Sequence, residues 1–243
     1  MVQGPVILFE KVCWVVLAAL HFPVTNDVVS ILASEAEQGY ISYIDIGAHS
    51  GDTIEPIARS FKLCIAVEPD PRNVPTLARN LKGLNNCRIV EKVLQHEGNL
   101  AYLHIGRKTD ASSLTQQPQL FEVIQVPSTT LDDMVETEAV VFPCLIKIDV
   151  QGNEPSVMAG GNKTLGEKCT VVSEFWPYGI KLAGYDSLGY LRLFMEKGFA
   201  VYNLRGRRLS FKILEDYIQL GEQNNLISTD LVFRKQCLGS LKA

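Results

Sequence analysis

Tyr40-Ile-Ser-Tyr-Ile-Asp-Ile-Gly-Ala-His-Ser-Gly-Asp52 reads as a buried strand that runs into a glycine turn and then a helix. Ile41, Tyr43, Ile44 and Ile46 are β-branched or aromatic and almost continuous, the composition of a strand covered on both faces in a parallel sheet. Asp45 interrupts the run near its carboxyl end. Gly47 and Gly51 permit a tight turn and a close approach of the backbone to a ligand. Asp52 and Thr53 stand where an N-cap would start a helix toward Arg59. The pattern predicts a small polar ligand lying against this turn.

The glycine spacing, Gly-x-x-x-Gly, is not the Gly-x-Gly-x-x-Gly of a dinucleotide site, and no Lys-Ser/Thr follows it as in a phosphate-cradling loop. A pyrophosphate ligand is therefore disfavoured. The next apolar run, Leu63 to Val67, ends in Glu68, about 20 residues beyond the first glycine, where a carboxylate accepts the hydroxyls of a ribose. Strand, glycine turn and helix occur in any doubly wound α/β protein. Two carboxylates at neighbouring strand ends, Asp45 and Glu68, tip the reading toward a nucleoside site.

Leu145-Ile-Lys-Ile-Asp-Val-Gln-Gly-Asn-Glu154 repeats that logic, with an apolar strand, a carboxylate at its end, a glycine and a helix to about Leu165. Strand period places Lys147 and Asp149 on one face. Such a pair is costly to bury unless it is paired or used, so the readings are a structural ion pair or a working one. Between the two stretches come a helix over Asp70 to Leu81, a strand at about 87 to 94, strands over Leu100 to Ile105 and Glu122 to Val126, and a short helix from Thr129 to Val135 begun by Ser128 or Thr129. Beyond them lie the strand Cys169 to Phe175 with Glu174, a loop holding Trp176, Pro177, Tyr178 and Tyr185, a helix at 187 to 197, and strands at 199 to 203 and Asp230 to Arg234. In an alternating chain of this kind the ligand lies beyond the carboxyl ends of the strands, and Asp45, Glu68, Asp149 and Glu174 all map to that rim.

A chain of 243 residues fits one large α/β domain. Its net charge of −4 and pI of about 5.6 give no reason to expect nucleic acid, which needs clustered Lys and Arg; the one basic cluster, Arg205-Gly-Arg-Arg208, reads as a solvated hairpin tip. The six cysteines, at 13, 64, 87, 144, 169 and 237, form no Cys-x-x-Cys pair. They read as buried free thiols in a reducing, cytoplasmic setting, with no metal site. The apolar stretch Val6 to Phe22 is broken by Glu10 and Lys11, and its unbroken part falls short of the roughly 20 residues that span a bilayer. No positive segment precedes it, which disfavours a signal peptide. Helices at 6 to 20 and 26 to 38 are expected as an N-terminal extension (1–38) on a domain covering 39–243. Membrane-surface contact or homodimer contact through the N-terminal helix is the sharper alternative.

Taken together and in order, Asp45-Ile-Gly-Ala-His-Ser-Gly51, Val67-Glu-Pro69, Thr130-Leu-Asp-Asp133, Lys147-Ile-Asp-Val-Gln-Gly-Asn-Glu154 and Ser173-Glu-Phe175 resemble the FkbM family of S-adenosylmethionine-dependent methyltransferases, over about residues 40 to 236. The resemblance implies a class I methyltransferase fold: a Rossmann-like, doubly wound, mostly parallel seven-stranded sheet whose last strand is antiparallel. It also implies methyl transfer, usually to a hydroxyl oxygen, with sugars and secondary metabolites among the acceptors. His49 stands where the family usually has Asn, Gln151 where it usually has Glu, and Val93 to Gly98 departs from the usual Ala-x-x-Asp-x-x-Gly.

Carried over by residue, the resemblance sets the methionine part of the cofactor against Asp45, Gly47, Ala48, His49 and Gly51, and its ribose on Glu68, beside Pro69. Methyl transfer is an in-line displacement, so the protein chiefly aligns the acceptor oxygen and excludes water. Asp149 is the first candidate base, held ionised by Lys147; Glu154 and Glu174 are secondary catalytic candidates, expected to position substrate, and His49 is the alternative base. The loops at 107 to 120 and 176 to 186 are expected to shape the acceptor pocket. Two other readings compete: a nicotinamide-dependent oxidoreductase, disfavoured by the missing third glycine, and a cofactor-binding relative without catalysis that acts through partners, suggested by His49 and Gln151.

Overall fold

A computed structural model of the chain describes residues 26–106, 112–114 and 120–235. Its strands are β1 (Ser42–Ile46), β2 (Leu63–Val67), β3 (Cys87–Val90), β4 (Val93–Leu94), β5 (Asn99–Gly106), β6 (Leu120–Thr129), β7 (Cys144–Ile148), β8 (Cys169–Phe175), β9 (Phe199–Asn203) and β10 (Thr229–Lys235). Its α-helices are α1 (Asn26–Ala36), α2 (Val74–Asn80), α3 (Leu131–Thr137), α4 (Glu154–Ala159), α5 (Pro177–Leu182), α6 (Ser187–Glu196) and α7 (Phe211–Gly221).

A seven-stranded sheet runs in the order β3-β2-β1-β7-β8-β10-β9. Its strands are parallel except β10, which inserts antiparallel between β8 and β9. This is the doubly wound, Rossmann-like class I methyltransferase arrangement. All five residues of β1 are buried because both faces are covered. Ile44 and Ile46 point into the larger core shared with α3, α4, α6 and α7. Tyr43 points the other way, into a core with Leu32 and Ala36 of α1 and Leu77 of α2. A second sheet, β4-β6-β5, sits beside the first.

Several expected elements differ. The helix foreseen from Asp52 toward Arg59 is a run of turns closing in a 3-10 turn at Ala58–Ser60; Pro56 has no N–H to continue a helical ladder. The strand foreseen at 87 to 94 breaks at Glu91 and Lys92, so that β3 joins the main sheet and β4 the small one. The helix after Glu154 stops at Ala159 rather than near Leu165. Gly160 and Gly161 follow, and a Cβ on them would lie 2.5 Å from the Gln95 carbonyl oxygen and 2.7 Å from Leu131 Cδ2. The cap of α3 is Thr130, whose Oγ1 accepts from the Asp133 N–H at 3.0 Å, not Ser128 or Thr129. α5 occupies the foreseen loop at 176 to 186, and α7 was not foreseen.

The helix expected at 6 to 20, Cys13, Cys237 and most of the loop at 107 to 120 lie outside the described residues. Among the described residues no helix is long and apolar enough to cross a membrane. Cys64, Cys144 and Cys169 are buried free thiols, and Cys87 is half-buried and free.

Candidate cofactor site and its rim

The strand order reverses between β1 and β7, and there, beyond the carboxyl ends of the strands, a cavity of about 630 Å³ opens. The turn after β1 forms one wall. Gly47, His49 and Gly51 all have left-handed backbones, with φ of 81°, 49° and 91°. The glycines answer to the protein's own packing as much as to any ligand, since a Cβ on Gly47 would lie 1.9 Å from the Asp149 carbonyl oxygen and one on Gly51 would lie 2.9 Å from Leu77 Cδ1. His49 and, on the facing loop, Gln151 (φ 58°) are left-handed residues with side chains, so these two of the three departures from the family pattern fall at strained backbone positions. At the first of them the usual Asn is a side chain that tolerates this conformation.

Glu68 is almost fully buried at the end of β2. Its Oε2 accepts from the His49 N–H at 2.8 Å; its Oε1 accepts from the Asp70 N–H at 2.8 Å and Asn73 Nδ2 at 3.2 Å. Three donors fix this carboxylate and leave acceptor capacity toward the cavity. Burial pushes its pKa up, against those hydrogen bonds.

On the other wall, Lys147 is the register partner of Asp45 across β1 and β7. Its Nζ lies 3.5 Å from Asp45 Oδ1, 3.5 Å from Asp149 Oδ2 and 3.4 Å from the Gly47 carbonyl oxygen. Burial opposes its charge, but Asp45 and then Asp149 outweigh burial and hold its pKa above the ordinary value. The carboxylates divide the work. Asp45 is fully buried, accepts a short hydrogen bond from the Thr53 hydroxyl and does not line the cavity, whereas the Asp149 side chain is 38% exposed and does. Asp149 Oδ1 accepts from Gln151 Nε2 at 3.0 Å.

Of the residues singled out by sequence, the cavity brings together Gly47, Ala48, His49, Glu68, Pro69, Lys147 and Asp149. Asp45, Gly51 and Glu174 stand behind or beside it. Glu174 faces Asp230 in the β8–β10 register, and burial, then Asp149, Glu154 and Asp230, push its pKa well up. Asp230 is pushed up to about 7 by burial and Asp149. The rim is thus a carboxyl row across β7, β8 and β10.

Sequence reading missed Asn73, Asn153 and the apolar lining from Leu94, Leu103 and Leu114. Asn73 and Asn153 sit in turns whose geometry only the packed loops define. Leu103 reaches the cavity from the small sheet, and the signal for that sheet was the break at Glu91 and Lys92.

The family model described as Methyltransferase FkbM domain matches residues 45–203. The 2-O-methyltransferase NoeI of Sinorhizobium fredii is 27% identical over 154 residues, 54% of this chain and 62% of that protein, so the chain spans less than two thirds of this relative's length. Among solved structures, methyltransferase FkbM from Methylobacillus flagellatus aligns with a TM-score of 0.47 at 16% identity, over 79% of this chain and 43% of that one. The O-methyltransferase from Bacillus cereus in complex with SAH aligns with a TM-score of 0.45 at 11% identity, over 96% and 92%.

Proposed function

The chain belongs to the methyltransferase FkbM family, and from that membership we propose that it methylates a hydroxyl oxygen of a small molecule or sugar, with Asp149 as the base. The observation that carries the reading is the division between Asp45 and Asp149. Lys147 touches both, yet only Asp149 reaches the cavity, so one carboxylate neutralises the lysine while the other is free to meet a substrate.

S-adenosylmethionine, the donor used across this family, supplies an electrophilic methyl group on sulfur. The residues of this chain fit such a ligand. A buried carboxylate with spare acceptor capacity, Glu68, stands ready for ribose hydroxyls, and the turn from Gly47 to His49 backs the amino-acid end. An acceptor hydroxyl at Asp149 would pass its proton to that carboxylate as its oxygen attacks. The relative NoeI is named for transfer to a 2-hydroxyl, which supports a hydroxyl acceptor.

Calorimetry with S-adenosylhomocysteine tests the cofactor reading, and saturable binding with a concentration-dependent rise in melting temperature is expected. No binding at millimolar ligand by the folded protein would overturn it. Asp149→Asn should leave that affinity and the fold nearly intact, because Lys147 keeps Asp45. Methylation of hydroxyl acceptors should fall by about 10²- to 10⁴-fold, and undiminished turnover would remove Asp149 from the role of base.

A further inference from the structure

Asn153 precedes α4, where an asparagine would ordinarily cap the helix, but its side chain makes no capping bond. It is only 5% exposed and lines the cavity. Among the described residues its Nδ2 has no hydrogen-bond partner. Buried amide donors without partners are rare in native proteins, and one on a residue that lines a cavity marks a place where a ligand can supply the acceptor.

The surroundings narrow the acceptor. The first turn of α4 is tied to the chain following β4, because Ser156 Oγ lies 3.2 Å from the His96 backbone nitrogen and 3.0 Å from His96 Nδ1. That contact sets Asn153 at the side of the cavity where Val93, Leu94, Leu103 and Leu114 supply apolar walls. A flat, apolar-faced ring carrying lone pairs on its edge suits this combination; a carboxylate or a free sugar hydroxyl does not need the leucines. Glu97, the carboxylate of the Val93 to Gly98 stretch, is exposed and does not line the cavity, so a polar reader for a heteroaromatic edge comes from elsewhere.

We propose that Asn153 is the adenine-reading residue of this methyltransferase, its Nδ2 donating to a ring nitrogen of the cofactor. The proposal rests on the reading of the cavity as the S-adenosylmethionine site. It makes Asn153 a determinant of cofactor affinity and of base identity, with no part in the methyl transfer itself.

The test uses calorimetry of the full chain with S-adenosylhomocysteine and its 1-deaza, 3-deaza and 7-deaza analogues, on the native sequence and on Asn153→Ala and Asn153→Asp. In the native protein one analogue should bind about 10-fold more weakly than the parent, the effect of losing a buried hydrogen bond. Asn153→Ala should lose a similar factor on the parent ligand and become indifferent to that one nitrogen. Asn153→Asp, which keeps the shape but has no donor, should do the same, and it decides the matter if the alanine variant does not fold. A merely structural asparagine would weaken every ligand equally. The proposal is overturned if the native protein is indifferent to all three nitrogens, or if the same analogue is penalised undiminished in the variants. Failure of the native protein to bind the parent ligand would instead sink the cofactor reading beneath it.

Discussion

Glu154 shows how one side chain sets the geometry of the rim. Its Oε1 accepts from the Val150 N–H at 3.0 Å and the Gly152 N–H at 3.2 Å, which holds the left-handed turn that carries Asp149 and Gln151 to the cavity. Its Oε2 is fully buried and has no partner among the described residues. Burial first, and Asp149 among the opposing charges, push its pKa from 4.5 up to about 7. Between those values the folded protein holds a proton that the unfolded chain releases. The stabilisation is therefore complete below pH 4.5 and is lost as pH rises through about 7. On the scale of 1.36 kcal/mol per pKa unit this is on the order of 3 kcal/mol. Glu154→Gln should flatten the fall in unfolding free energy between pH 5 and pH 8, measured by urea denaturation at each pH, whatever its absolute stability. An unchanged slope would assign the titration to another group. That carboxylates gather at this rim was legible from strand period and strand ends. Which of them meets the cavity was not, because Asp45 is withdrawn by a lysine that lies next to it only through the register of β1 with β7.

At the scale of elements, the short segment Ser112 to Leu114 crosses the cavity between its two walls. Its Ser113 exchanges backbone hydrogen bonds with His104 of β5, at 2.8 and 3.0 Å, and Ser113 Oγ donates to the Gln151 carbonyl oxygen at 3.4 Å. On the β2 side Arg72 clamps it. The guanidinium binds Asp70, the Gly106 carbonyl oxygen at 2.9 Å and Ser112 Oγ at 3.0 Å, while Ser112 Oγ donates to Asp70 Oδ2 at 2.8 Å. With the Arg72 side chain 33% exposed, the ion pair itself is worth about 1 kcal/mol or less. The larger effect of Arg72→Ala should be local: faster amide exchange at His104 and Ser113 with little change elsewhere. Arg72→Lys should restore it only in part, since an ammonium cannot fork between Asp70, Gly106 and Ser112. Unaltered exchange in both variants would mean that the pairing with β5 alone holds the segment. Elements with a strong period, such as β1, β2, β7 and β8, were readable from the chain. α7 was equally patterned, with Leu214, Tyr217, Ile218 and Gly221 buried along one face, and Ser210 in the capping position. That period is present in the chain itself. The split between β3 and β4 was a failure of information, because a two-residue strand exists only through its partner β6.

At the scale of the whole molecule, the first described helix and the last strand hold each other. Arg234 of β10 donates from Nε to Glu35 Oε1 of α1 at 3.1 Å, across 199 residues of sequence, with a second, shorter bond from Nη2. The Tyr40 hydroxyl lies 3.2 Å from Glu35 Oε2 and 2.6 Å from Thr170 Oγ1 of β8. Around this polar knot Leu32 and Ala36 share a core with Tyr43, Leu145, Val172 and Val232, from four adjacent strands. A helix was legible at 26 to 38, but its partners were not, since nothing local in α1 specifies a strand at the far end of the chain. The packing argues for α1 as the cover of one sheet face, so that the helix and the sheet melt together. Among the described residues, Arg234→Ala leaves the buried Glu35 with only the Tyr40 hydroxyl as a partner. Breaking a fully buried pair costs about 3 to 5 kcal/mol; a guanidinium one-third exposed brings the expected loss to about 1 to 3 kcal/mol. The melting temperature should fall while helical circular dichroism and tryptophan fluorescence still move in one coincident transition. If the helical signal instead melts ahead of the fluorescence in the variant and in the native chain, α1 is a separable extension and the sheet is stable without its cover.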